Sequence, residues 1–421
     1  MNSYFLILEF IMYAFTFYIL IYKKELGILY LPSLFFIFTI ITPTIPIGVF
    51  YALVALLIIS ILNKRFDLLS QNPAAVLLLF YFLILLTAAH AELKYSLVFS
   101  VLLFFISIPL INLIYKHYTY DKIFSELTRA SIIILVVFVT NAVLSTLTKY
   151  NPQSMYGINS GVLYGNLGYT DFNVIGIALF IVLLRLLKKN NFVLLAIYII
   201  AFAFVMLTLR RSAMLVSGLG VVFAFLTVMT QRKIGQSLLY LLLAVILGTV
   251  VYFKSDFASV FNERYELRRL DEREFEEEKR FAEYEMVYKD MFILNKYSPW
   301  FGYGLFNSAG NYGEGQFEDR TLHADLTSLA HSSGLIGVFL YLIMILTAFT
   351  MAFKAAKSKG QKLMVLYCVL TFLVYTITGR YSQADSMLLL FLVANLGMAK
   401  VESEEVATEL IEIEIGERAL Q

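Results

Sequence analysis

Apolar residues fill this chain in long stretches, separated by short polar and basic connectors. Leu, Ile, Phe, Val and Tyr run for about 17 to 22 positions at a time, the length a helix needs to cross the hydrocarbon of a bilayer. Backbone amides find no water there, so each spanning segment must be helical. The alternation over about 10 residues that marks a membrane barrel is missing. The pattern predicts an all-α integral membrane protein. Its spans are expected at roughly 4–22, 27–42, 45–62, 74–90, 94–115, 129–148, 172–187, 191–208, 211–229, 236–253, 329–353, 362–378 and 384–399, which gives about 12–14 transmembrane helices given the error of span boundaries. The hairpin Thr42–Pro46 holds two of the seven prolines, spaced to end one helix and open the next.

The connectors give a direction. Lys23 and Lys24, Lys64 and Arg65, Lys116 and Lys122, Arg185 with Lys188 and Lys189, Arg232 and Lys233, and the run Lys354 to Lys362 fall in every second loop. Excess Lys and Arg marks the cytoplasmic side. The remaining loops, including 149–171, the Arg210–Arg211 turn, 254–328 and 379–385, are then expected outside. The N-terminus follows outside and the C-terminus inside.

Composition supports the class. Hydrophobic residues make up 60% of the chain and charged residues 15%, against about a quarter charged in soluble domains. The net charge of +2 gives no sign of nucleic acid, and no such partner is expected. Cys368 is the single cysteine and lies in an apolar run, which rules out a disulfide within the chain and suits a packing residue. Met1–Leu20 lacks a basic leader and a small-residue cleavage site, so it reads as a retained span.

Four regions follow: 1–253 with about ten spans, a polar loop 254–328, three spans in 329–399, and an acidic tail 400–421. The loop holds sixteen Asp or Glu and ten Lys or Arg, and the chemistry is expected there. Phe281, Tyr284, Tyr288, Met291 and Phe292 recur at three and four, which makes an apolar face on a surface helix. Ser298–Gly304 follows, with the only tryptophan, Trp300. Trp300 and Tyr303 suit sugar stacking and suit anchoring at a membrane interface equally well. Glycines 302, 304, 310, 313 and 315 allow tight turns.

The Arg210–Arg211 pair is the only charge between Asn191 and Gln231. A charge placed mid-span costs at least ~2.5 kcal/mol, so the pair belongs at a turn between two spans. There the arginines either meet an anionic substrate or snorkel as plain interface residues.

From His323 the chain reads His, Ala324, nine residues, then Gly334-x-x-Gly337 opening an apolar helix. This resembles the O-antigen ligase and Wzy-type O-antigen polymerase superfamily, whose signature is His, then Asn, Ser or Gln, nine residues, then Gly-x-x-Gly. Ala324 departs from it, so a hydrogen bond made there in relatives is lost here. Thr208–Leu215 resembles the family's "S/T-x-x-R-S/G-A-x-L" segment, with Arg211 as its arginine. Arg280–Tyr284 followed by Pro299-x-x-Gly302-x-Gly304 resembles its loop segment, and Gly168–Asn173 resembles its glycine, aromatic and Asn opening of a span. The matches keep the family's order over about residues 165–345.

The resemblance implies a GT-C-like glycosyltransferase of the bacterial inner membrane. It would move a glycan from undecaprenyl diphosphate to a sugar hydroxyl at the periplasmic face, in lipopolysaccharide biosynthesis. Arginine suits the leaving diphosphate, since its planar fork holds two oxygens and stays charged; Arg211 and Arg280 are the catalytic candidates. His323 would act as general base. On one continuous helix it would share a face with Gly334, eleven residues on, while Gly334 and Gly337 admit a neighbouring helix. Arg210, Arg264, Tyr303, Trp300 and Asn173 are candidates for binding diphosphate or sugar. Gly302, Gly304, Gly334 and Gly337 are structural. His331 has no counterpart in the signature. No Asp-x-Asp pair occurs, so no metal and no cofactor is expected. Partners implied are lipid-linked oligosaccharides and the pathway's flippase and chain-length regulator.

An O-antigen polymerase, joining the chain to the non-reducing end of another lipid-linked unit, is the leading reading, because the loop is acidic. A ligase acting on lipid A-core or protein is the second. A transporter of the same lipids would instead show charges within several spans and an internal repeat.

Overall fold

A computed structural model describes residues 2–64, 66–87, 95–150, 165–167, 171–189, 191–208, 210–229, 279–305, 308–315, 322, 324–378 and 384–400. The described residues form thirteen α-helices: α1 Asn2–Tyr18, α2 Leu31–Ile40, α3 Ile47–Leu62, α4 Pro73–Thr87, α5 Tyr95–Tyr115, α6 Tyr120–Thr148, α7 Asp171–Lys188, α8 Phe192–Leu207, α9 Arg211–Met229, α10 Lys279–Tyr288, α11 Asp325–Ala355, α12 Lys359–Thr378 and α13 Ala384–Ala394. Six helical runs are long and apolar enough to cross a membrane, and shorter apolar helices accompany them. The expected span at 236–253 lies outside the described residues, as do Arg264 and the acidic tail. Each other expected span coincides with a helix.

Local chemistry sets the ends. Pro73 opens α4, and Asn72 before it accepts from Ala75 N (3.1 Å) while donating to Met344 O of α11 (2.9 Å). Asn191 caps α8 through Leu194 N (3.1 Å). Ser358 and Gln361 make a reciprocal capping box at the start of α12, which satisfies two amides left over by the helix start. Between α1 and α2 the chain stays helical except at Lys24, where φ is 49° and the direction reverses. Glu9 on α1 then clamps the 42–46 hairpin, accepting from Thr44 N (3.0 Å) and Ile45 N (3.0 Å).

α6 starts nine residues before the expected span at 129. The added turns carry charge at 121–129, and Glu126 among them is neutralised within the bundle. Lys23 Nζ lies 2.8 Å from it, Arg129 NH1 2.8 Å, and Tyr30 donates to the same carboxylate. A paired carboxylate no longer opposes burial as an isolated one does, so the helix runs on.

α7 and α13 form the centre. Positions 174–184 of α7 and the whole of α13 are buried, as expected of helices apolar on every side. α6, α8 and α9 pack around α7, Tyr367 and Tyr375 of α12 donate to its backbone, and α2 and α5 pack around α13. α11 packs on α4 and α12, and turns a lipid-sized apolar stripe outward through Phe339, Leu342 and Leu346.

Candidate functional site

The link between α8 and α9 is a tight turn. Thr208 ends α8 by donating to Val205 O (2.7 Å) and accepts from Arg210 N (3.4 Å). Arg211 is the first residue of α9 and is exposed. Arg210 is half-buried, its guanidinium 5.8 Å from the centre of the Phe172 ring at the start of α7. The expectation that the pair sits at a turn is met, and the turn separates the two residues: one points outward and one into the bundle.

Asn173 follows Phe172 and is buried. Tyr375, near the end of α12, donates its hydroxyl to Asn173 O at 2.5 Å. Asp385 at the start of α13 is buried, takes Ser386 N at 2.7 Å, and shares Tyr375 with Arg210 as an electrostatic neighbour. The start of α7, the α8–α9 turn, the end of α12 and the start of α13 thus gather a cation, a carboxylate, a phenol and an amide. The side-chain oxygen of Asn173 is buried and accepts no hydrogen bond. Asn166 nearby in sequence donates to Ile40 O (2.6 Å), and its oxygen is also unpartnered. Ionisable groups at such depth are costly and mark functional positions. Sequence reasoning named Arg210 and Asn173; Asp385 it placed only in the outward loop 379–385. Tyr375 it missed, since a tyrosine in an apolar run carries no signal before its partner is known.

The second structure at the site corrects an expectation. α11 begins at Asp325, with Ala324 extended before it, and it breaks at Gly334, where φ is 63°. His323 and Gly334 therefore do not lie on one continuous helix, and the shared face does not exist. At the break a loop fills the gap. Leu335 N and Ile336 N, which lost their helical acceptors, donate to Pro299 O (2.8 Å) and Trp300 O (3.4 Å). The carbonyl of His331, left over on the other side, accepts from Tyr303 N at 2.7 Å. These bonds satisfy groups that a helix end otherwise leaves to water.

Both glycines are required. A Cβ on Gly302 (φ 77°) would meet His331 O at 2.6 Å and Gly334 N at 2.7 Å, and one on Gly334 would strike the Trp300 carbonyl. The partner of Gly334 is thus loop backbone and not a helix. Gly337 does face a helix: a Cβ there would lie 3.5 Å from the ring of Tyr81 of α4, which donates to Ser333 O at 2.7 Å. Gly304 (φ 147°) has open space around it.

Beneath the loop His331 is fully buried against Tyr297, Tyr303 and Tyr312, at ring distances of 5.0, 5.3 and 6.4 Å. Its Nε2 lies 3.2 Å from Asn311 O, and Tyr303 donates to Asn311 Oδ1 at 3.2 Å. Val287, Met291, Tyr297, Tyr312 and Leu322 form a small core with it. Asp290 is buried there, accepting from Gly313 N (2.7 Å) and pairing with Lys296 (3.1 Å). Desolvation pulls the Lys296 ammonium down, but the bond to Asp290 and the charges of Asp290 and Glu314 outweigh it and hold Lys296 above the usual lysine range. Burial pushes the Tyr297 phenol up, with Asp290 adding to the effect.

Arg280 is the second residue of α10, and its side chain, like His323, lies outside the described residues. α10 packs on α11. Since α11 and α12 are antiparallel neighbours joined by the short link 356–358, the start of α11 and the end of α12 lie at one end of the bundle. The Arg210 cluster and the loop lock share that end. A cavity of about 130 Å³ lined by Tyr120, Lys188, Thr227 and Gln361 lies at the other. Among the described residues no group of three His, Cys, Asp or Glu gathers closely enough to hold a metal ion.

An all-α bundle with this many apolar helices, burying its charge at two ends, is an integral membrane protein. Residues 194–342 match the family model described as O-Antigen ligase. The match runs from α8 through the loop lock into α11, and it includes Arg210, Arg211, Arg280 and His323. It supports a glycosyltransferase-like enzyme of the O-antigen ligase or polymerase type, and nothing supports a transporter. No curated protein matches the chain.

Proposed function

We propose that the protein is an O-antigen polymerase, transferring a glycan chain from undecaprenyl diphosphate to the non-reducing end of a second lipid-linked repeat unit at the periplasmic face of the inner membrane. The observation that carries this reading is the arginine turn at 210–211 within the family-matched segment, set beside a buried amide with an unused acceptor.

In the reaction the acceptor hydroxyl oxygen bonds to the anomeric carbon as the bond from that carbon to the diphosphate oxygen breaks. His323 takes the hydroxyl proton. The diphosphate leaves with one more negative charge, which Arg211 and Arg280 hold by paired, charge-assisted bonds. Arg210 and Asn173 bind the diphosphate or the first sugar. Arg264 and Tyr303 are assigned to the sugars further out. No step calls for a metal.

A ligase, whose acceptor is lipid A-core, is the second reading. The matching family, described as O-Antigen ligase, favours it, while the acidic 254–328 loop favours the polymerase, since a phosphorylated core suits a basic surface. Deleting the gene separates them. Lipopolysaccharide whose core carries a single repeat means polymerase. Bare core with stored lipid-linked polymer means ligase. A normal ladder defeats both.

A further inference from the structure

The chain has one tryptophan, and the fold fixes its height in the bilayer. We propose that Trp300 and Phe301 are a rigid anchor in the phospholipid headgroup interface, so that this turn of the loop docks on lipid and not on glycan.

The depth follows from the helix break. Beyond Gly334, α11 runs from Leu335 to Ala355 with Lys354 in its last turn. About 21 residues at ~1.5 Å each reach about 31 Å, the thickness of a hydrocarbon core at ~30 Å. The break and Lys354 therefore mark the two faces of the apolar layer. Pro299 and Trp300 hold the first two amides of that span through their carbonyls, which places the turn at the layer's edge.

Rigidity and exposure point the same way. Ser298 Oγ accepts from both Trp300 N and Phe301 N (3.3 Å each), and Gly302 N returns to Ser298 O at 2.8 Å. The turn is closed on itself while its two tip side chains stay outside: Trp300 is 60% exposed and Phe301 55%. Phe339, one turn into the span from Leu335, is 64% exposed, so the apolar surface continues from the tip down the outward stripe of α11. An exposed Phe on a polar loop is costly in water, whereas an indole, apolar with one donor, is at home among headgroups.

The test uses the unmodified protein in nanodiscs, because Trp300 is the only indole in the chain and Trp300→Phe supplies the blank. Discs are made with phospholipid brominated near the headgroup end of the acyl chain, near its centre, or not at all. The expected result is a blue-shifted emission that loses most intensity with the shallow bromines, less with the deep ones, and little with aqueous iodide. Emission indifferent to brominated lipid overturns the anchor, whether or not iodide reaches the ring. Strongest quenching by the deep bromines overturns it too, because the turn would then lie inside the layer. No turnover is measured, so the result stands apart from the transferase reading.

Discussion

The two ends of the bundle each bury charge, and they do so in opposite ways. At the Lys23 end, the Glu126 carboxylate is held by Lys23, Arg129 and Tyr30 together. Near the α8–α9 turn, Arg210 lies by an aromatic face, Asp385 is buried, and the side-chain oxygen of Asn173 accepts nothing. The first cluster closes on itself and so joins the 19–23 segment, the 24–30 segment and α6. The second leaves the Asn173 acceptor unspent in a buried place. The first is a clamp, and the second is the binding site proposed above.

That contrast can be broken or sharpened by substitution. The largest effect is expected for His323→Ala, Arg211→Ala and Arg280→Ala in separate variants. Each should lower glycan transfer by about 10²–10⁴-fold, read from the lipopolysaccharide ladder, with the protein still present in the membrane at its normal level. Full ladders from all three would remove the assigned catalytic groups.

Next comes Glu126→Ala. It leaves Lys23 half-buried without its partner and should cost about 3–5 kcal/mol of stability, seen as a lower melting temperature in detergent, while the folded fraction keeps its activity. Arg129→Ala, at the exposed edge of the same cluster, should cost at most ~1 kcal/mol.

Gly334→Ala tests the loop lock. The added methyl meets the Trp300 carbonyl and a positive φ, so about 1–3 kcal/mol of strain is expected, together with faster proteolysis of the 297–312 loop. Protease resistance equal to the parent would show that the lock is not tight.

The smallest stability change is expected for Asn173→Leu. Replacing an amide whose oxygen is unpaired by a residue of similar volume is nearly neutral for folding, yet transfer should fall roughly tenfold, the worth of one lost hydrogen bond at ~1.4 kcal/mol. A marked loss of stability with normal transfer would make Asn173 part of a clamp after all. Glu126 and Asn173 should thus give opposite signatures.

Much of this was legible along the chain. The apolar helices were, because hydrocarbon imposes one secondary structure. The turn at Arg210–Arg211 was legible too, since a pair of charges in forty apolar residues has one affordable place. The break at Gly334 was not. From His323 to Phe353 the residues suit one helix, and only the carbonyls of Pro299 and Trp300, each 36 residues before the amide it accepts from, make an interruption cost little. Likewise the start of α6 at Tyr120 was not legible, because Glu126 is paired by Lys23, about a hundred residues away.

By itself the order of residues determined that the protein is an all-α membrane protein and which short motifs are chemically conspicuous. Those properties depend on neighbours in sequence and on the solvent, both of which can be read locally. Tertiary structure alone decided which arginine of the pair turns inward, that Tyr375 and Asp385 join it, and that the loop stitches a broken helix. Each of those outcomes depends on groups far apart in the chain supplying a hydrogen bond or a counter-charge, and no local pattern states where such a partner will come from.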